Sequence, residues 1–304
     1  TFTPVTVNEL CTIQVNANIY TDTVGNPNIE SNLFTWTFDN IPPTMTITSS
    51  TVNSGETTNN PSIQLIFTSS DTTNDFTESD ITVTNGTISD FSIISGTTDI
   101  ATTYTATFTP ITVDVQCTIQ VNANEYTDTV GNKNLLSNLF TWTFDNIPPT
   151  MTITSSTVTS GTVTDITWIN LTFTSSEPTN DFTSSDITIT NGTITDFSST
   201  SETTYIAKCI PVANVLCTIQ VKANTYTDTS GVENETSNTF EWTYYNIQPI
   251  MEITSPNVVS GETTNNPSIQ LTFTSSDTTN DFTSSDITVT NGTITDFSII
   301  SGTT

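Results

Sequence analysis

The sequence predicts an all-β protein, a row of tandem antiparallel β-sandwiches, on three observations. First, the chain repeats at domain length. The phrase NDFTESDITVTNGTISDFS begins at Asn74, and close copies begin at Asn180 and Asn280, 106 and then 100 residues further on. That period is too long for one coil of a solenoid and fits a whole small β domain. Second, apolar residues alternate with polar ones. Cys117, Ile119, Val121 and Ala123 do so, as do Phe140, Trp142 and Phe144, then Ile63, Leu65 and Phe67, and Met45 with Ile47. Period two in β-branched and aromatic residues marks half-buried strands. Third, Gly, Asn and Ser turns separate these runs at short intervals.

The elements follow in order between two copies of the linker DNIPPT, Asp39–Thr44 and Asp145–Thr150. Strands are expected near 44–50, 62–69, 80–84, 87–94, 103–109, 117–126 and 138–144. Asn85-Gly86 reads as a two-residue hairpin turn with positive φ at both positions. Seven strands in about 100 residues fit the immunoglobulin-like class. Pro42-Pro43 and Pro148-Pro149 stiffen the joints. The expected domains are the late half of a repeat at 1–40, complete repeats at 41–146 and 147–246, and the early half of a repeat at 247–304.

Those two halves are complementary. TFTPVTVNELCTIQV at Thr1 matches TFTPITVDVQCTIQV at Thr107. Joined, tail and head lack only a counterpart of Asp99–Ala106. Ile269, Leu271 and Phe273 need partners such as Ile13, Val15, Phe34 and Trp36. The expectation is head-to-tail joining into a composite domain, within a longer continuous polypeptide or between copies of the chain that exchange half-domains.

Composition narrows function. The 304 residues carry 31 acids and 3 bases (Lys133, Lys208, Lys222), with no His, for a formal charge of −28. Such a surface repels phosphate backbones and anionic lipid, so nucleic acid and membrane surfaces are poor partners. No apolar run approaches the roughly 20 residues of a membrane helix. No His, no nucleophile motif and no convergent acid pair stand out, so an enzyme is not expected.

Calcium is a natural counter-charge for carboxylates. In an immunoglobulin-like order, the loop after the second strand and the loop before the last meet at the incoming linker. For the first complete repeat they supply Asp71, Asp75 and Asp128, with Asp39 from the linker. For the second they supply Glu177, Asp181 and Asp228, with Asp145. Two readings stay open: these acids bind calcium, or they form turns through their own side chains.

Asn85, Asn170, Asn191, Asn234 and Asn291 lie in N-x-S/T glycosylation acceptors. Asn85, Asn191 and Asn291 share one repeated NGT position, where the turn alone also accounts for Asn. Cys11, Cys117 and Cys217 share one apolar strand position and read as buried thiols. Cys209 stands where the other copies have Phe2 and Phe108. With Cys217 it brackets a hairpin and shares its inner face, so a disulfide is open to them. Trp36, Trp142 and Trp242 recur as core residues, whereas Trp168 lies next to inward Ile169 and points outward.

NIPPTMTITSS, then LTFTSSEPTNDFTSSDITITNGTITDF, then TIQVNANEYTDTVGN, resembles the bacterial immunoglobulin-like repeats of large surface adhesins. The resemblance covers essentially the whole chain. It implies a rod of tandem sandwiches on a cell surface, with calcium at the joints. The last linker departs from it: Tyr245 replaces Asp145 and Gln248 replaces Pro148. In the loop of the second complete repeat, Val232 replaces Asn132. The expected function is an extracellular structural rod or filament. The alternative is the repeat stalk of a ligand-binding adhesin, for glycan or cell, whose tip lies outside this segment.

Overall fold

The computed structural model describes residues 1–97 and 100–301. Strands dominate, and helix among the described residues is confined to three single turns at Glu78–Asp80, Ser184–Asp186 and Ser284–Asp286. Each turn is closed by its own acid. Asp80, Asp186 and Asp286 accept the N–H of Thr77, Thr183 and Thr283 at 2.7 Å.

The first complete repeat holds β3 (Met45–Ser49), β4 (Thr57–Thr58), β5 (Ile63–Thr73), β6 (Ile81–Thr84), β7 (Gly86–Thr97), β8 (Ile100–Pro110), β9 (Gln116–Val121) and β10 (Phe140–Phe144). It follows a two-stranded pair, β1 (Leu10–Ile13) with β2 (Phe34–Thr37). Two four-stranded sheets, β3-β5-β8-β7 and β4-β10-β9-β6, face each other. The alternation buries Leu65, Phe67, Phe108, Cys117, Ile119 and Trp142 between them. Fully burying such side chains contributes about 1.5–3 kcal/mol each, so the period-two pattern pins the register.

The second repeat repeats this plan. It holds β11 (Met151–Ser155), β12 (Thr162–Thr164), β13 (Ile169–Ser175), β14 (Ile187–Thr190), β15 (Gly192–Ser199), β16 (Thr204–Pro211), β17 (Leu216–Val221) and β18 (Phe240–Tyr244). Its sheets are β11-β13-β16-β15 and β12-β18-β17-β14. β19 (Met251–Thr254) and β20 (Thr272–Ser275) then form a last pair.

Three expectations need correction. Among the described residues each complete repeat has eight strands, because short β4 and β12 add in parallel to β10 and β18. Threonine pairs this short carry no periodicity to read. The strand expected over 117–126 ends at Val121, and a loop follows. Asn85-Gly86 is not a hairpin turn, since β6 and β7 lie in opposite sheets. Asn85 takes the positive φ, 56°, and the chain crosses the sandwich there. Gly86 is required for another reason: a Cβ would collide with the ring of Phe108.

The partial repeats expose what the complete ones bury. Phe34 is 61% exposed and its counterpart Phe140 is 2%. Ile253 is 58% exposed and its counterpart Ile153 is 2%. Asp99, the first residue of the stretch without a counterpart, lies outside the described residues.

Candidate metal centre at the second joint

The loops that approach each joint are built on a buried Asn and an Asp. Asn134 accepts the Tyr126 N–H and donates to the Asn122 and Leu135 carbonyls. Asn234 does the same with Tyr226, Lys222 and Glu235. Inside this frame Asp128 caps its own loop. Its Oδ1 accepts the N–H groups of Val130 and Asn132, and its Oδ2 accepts the Asn132 side-chain amide at 2.9 Å. Burial pushes the Asp128 carboxyl up, but these hydrogen bonds outweigh it and hold it below its usual range.

Asp228 begins the same way and ends differently. Its Oδ1 accepts the N–H groups of Ser230 and Val232. Val232 has no amide to offer, and among the described residues Asp228 Oδ2 is buried with no hydrogen-bond partner. Asp228 is only 3% exposed. An orphaned buried carboxylate oxygen is costly, so it calls for a ligand.

Two more acids supply the setting. Asp145, Glu177 and Asp228 offer oxygens that all lie within 4.8 Å of one another. Asp145 comes from the linker, Glu177 from the loop after β13, and Asp228 from the loop after β17. The Ser230 hydroxyl reaches Asp145 Oδ2 and Asp228 Oδ1, both at 2.7 Å. Its single proton serves one of them at a time. Burial raises the Glu177 pKa, and the charges of Asp145, Asp228 and Asp114 raise it further. Asp114 is raised by burial and then by Asp145. Asp114 belongs to the first repeat, so the acids of both repeats gather at this joint. Asn59 ties the repeats directly, donating from its backbone to the Ser230 carbonyl and from its side chain to the Gly231 carbonyl at 3.2 and 2.7 Å.

The donor set fits a hard divalent cation. Three carboxylates and a hydroxyl are oxygen ligands of the kind calcium takes. No thiol or imidazole is among them. Asp145, Glu177 and Asp228 would hold such an ion, with Ser230 beside them.

The other candidate ligands are placed differently. At the first joint, burial and then the charges of Asp39 and Asp128 raise the Asp71 pKa, so the three acids are neighbours. They do not converge as tightly as the second set does, and both Asp128 oxygens are already satisfied. Asp75 and Asp181 are not brought into either cluster. Each clasps a neighbouring loop, accepting the N–H and the hydroxyl of Thr127 or Thr227. At the last linker the Tyr245 hydroxyl donates to Asp277 at 2.9 Å, in the place of an acid–acid contact.

Reading repeated positions missed Asp114 and Ser230. The signal lay in the departures: Asn8 and Asn214 stand at the position of Asp114, and Val130 at that of Ser230.

Of the acceptor asparagines, Asn85 and Asn191 point their amide nitrogens at the Gln116 and Leu216 carbonyls. Asn234 is the buried loop anchor, 1% exposed. Cys209 and Cys217 do not share one face of a hairpin, because β16 and β17 belong to opposite sheets. They meet across the core as thiols. Contact between the two thiols raises the pKa of Cys209, with burial adding to it, and lowers that of Cys217. Trp142 and Trp242 are fully buried, and Trp168 is 42% exposed.

A sequence model of the bacterial Ig-like domain matches residues 39–143 and 145–244. No curated protein matches the sequence. Among solved structures, the chain is similar to InvD of Yersinia pseudotuberculosis at 16% identity and a TM-score of 0.33, over 70% of this chain and 62% of that one. It is similar to the Escherichia coli adhesin FdeC at 10% identity and a TM-score of 0.35, over 78% and 74%. It is similar to invasin, a bacterial integrin-binding protein, at 15% identity and a TM-score of 0.37, over 83% and 55%. The chain thus spans less than two thirds of the InvD and invasin structures. No helix among the described residues is long and apolar enough to cross a membrane. With both complete repeats matched, the chain belongs to the bacterial Ig-like domain family.

Proposed function

We propose that the chain is a segment of an extracellular structural rod on a cell surface, and that calcium at the second joint fixes the angle between its two complete sandwiches. The observation that carries this is the convergence of Asp145, Glu177 and Asp228, with oxygens within 4.8 Å of one another, on a residue, Asp228, whose Oδ2 is buried without a partner among the described residues. When bound, the ion supplies the positive charge that the acids lack, and it joins linker and second repeat into one body. Asn59 and Asp114 extend that body to the first repeat. A surface of net charge −28 keeps such rods apart from one another and from anionic polymers. No catalytic role is assigned.

In the same reading, the 247–304 region pairs with a 1–40 region of the same repeat type, whether in one long polypeptide or between copies. The exposed Phe34 and Ile253 support it, because their counterparts in complete repeats are buried. Denaturing mass of the native material distinguishes these versions: a mass near 33 kDa supports exchange between copies, and a much larger one supports continuity.

Small-angle X-ray scattering with calcium and then with excess chelator tests the rod. The proposal expects a longer, narrower distribution of particle lengths with calcium. Identical profiles would overturn the role of the ion.

A further inference from the structure

The outer face of the second sandwich differs from that of the first. Trp168 and Asn170 are two residues apart at the start of β13, and both are exposed. Asn170 lies directly opposite Lys208 on β16, with Ile206 and Ile210 to either side, 42% and 44% exposed. The Lys208 ammonium sits 4.2 Å from the centre of the Trp168 ring. The first repeat has Ser62 and Gln64 in place of Trp168 and Asn170, and threonines in place of the three β16 residues. The third copy has Ser268 and Gln270. Aromatic residue and glycosylation acceptor therefore arise together, in one copy, on one face.

The acceptors are also unequal as nucleophiles. N-glycosylation uses the side-chain amide nitrogen. At Asn85 and Asn191 that nitrogen faces a carbonyl, at 2.7 and 2.8 Å, which a sugar would crowd. At Asn234 it is buried and holds two carbonyls. Asn291, the NGT position of the last repeat, is exposed and makes no side-chain hydrogen bond among the described residues, but Val289 stands two residues before it where Asn170 has Trp168. The Asn170 side chain makes no hydrogen bond among the described residues; only its backbone N–H is engaged, to Thr157.

We propose that Asn170 is the preferred N-glycosylation site of this chain and that Trp168, with Lys208, seats the first sugar. In the transfer, the Asn170 amide nitrogen attacks the anomeric carbon of a phosphate-activated sugar. A carbon–nitrogen bond forms, the carbon–oxygen bond to phosphate breaks, and the amide proton passes to a base of the transferase. The attached ring then lays its C–H face on exposed indole, burying apolar surface that the first repeat does not have. The Lys208 ammonium beside it donates to sugar hydroxyls. The inference is independent of calcium at the joint.

The test is to secrete the full chain from a eukaryotic cell that attaches N-linked glycans, and to measure occupancy at each acceptor by peptide mass spectrometry. The glycans are then trimmed to a single N-acetylglucosamine, and melting is compared for the native sequence, Asn170→Gln and Trp168→Ser. Serine is the residue of the other copies at that position, so this variant keeps the fold. Asn170 is expected to be the most occupied site. The single-sugar form is expected to melt several degrees above Asn170→Gln, with that gain lost in Trp168→Ser. Occupancy at Asn170 equal to or below that at any other acceptor, or no occupancy, would overturn the proposal. So would a gain that survives the loss of Trp168.

Discussion

The first and second joints are made from the same loops on the same fold, and they treat their acids in opposite ways. At the first, Asn132 donates to Asp128 and the loop is self-contained. At the second, Val232 stands in that place, and Asp228, which converges with Asp145 and Glu177, keeps a buried oxygen without a partner among the described residues. Asp114 adds a further charge, where the other copies have Asn8 and Asn214. The lesson is that the site lies in the departures from the repeat, while the repeat itself encodes the scaffold. The last joint is a third variant, in which a Tyr245 hydroxyl meets Asp277 and no metal is called for.

Exchanging the two loop residues tests this difference most severely. Asn132→Val should leave a buried Asp128 oxygen without its donor and cost about 1–3 kcal/mol of first-repeat stability. Val232→Asn should stabilise the metal-free second repeat and weaken calcium binding by about tenfold or more. Chemical denaturation of both variants, with and without chelator, gives the four numbers required. Equal effects at the two loops would erase the distinction between the joints.

Calcium itself should act on one repeat more than the other. At about 100 times its dissociation constant it should add about 2.7 kcal/mol to the second repeat, through binding to the folded form alone. Differential scanning calorimetry should show the transition of the second repeat move up with calcium, and Asp145→Asn should abolish the movement. Because the ligands must be deprotonated, the effect should fade as pH drops through the carboxylate range.

The cores differ as well. Oxidation with glutathione disulfide during refolding should join Cys209 to Cys217 and stabilise the second repeat by about 2 kcal/mol. Cys117, which has Phe108 in the place of Cys209, should remain a thiol. Thiol counting checks this, and two free thiols in the second repeat after oxidation would count against it. Tyr245→Phe should have the smallest effect, loosening the last linker with little change in melting, since the Tyr245 hydroxyl is at the surface. Amide hydrogen exchange near Asp277 is the readout.

Much of the fold was legible in the sequence. Strand alternation follows from burial on one face, so Leu65, Phe67, Ile119 and Trp142 could be assigned to the core from period alone. Which strands share a sheet was less legible. Asn85-Gly86 carries the local signature of a hairpin, yet pairing with β8 and β9 in separate layers decides the outcome. The pairing of Cys209 with Cys217 across the layers was misplaced for the same reason. Of the eight expected metal ligands, Asp145, Glu177 and Asp228 converge. Asp75 and Asp181 look equivalent in sequence, but the Thr127 and Thr227 groups that occupy them come from loops 46–52 residues away. No local pattern reports such a partner. Asp114 was hidden because it belongs to the neighbouring repeat.

Isothermal titration of calcium into the metal-free chain, beside Asp228→Asn, tests the central claim most directly. The account predicts one dominant site per chain in the native sequence and loss of that site in the variant, with the fold intact by circular dichroism. No calcium binding, or binding unchanged by Asp228→Asn, would contradict it.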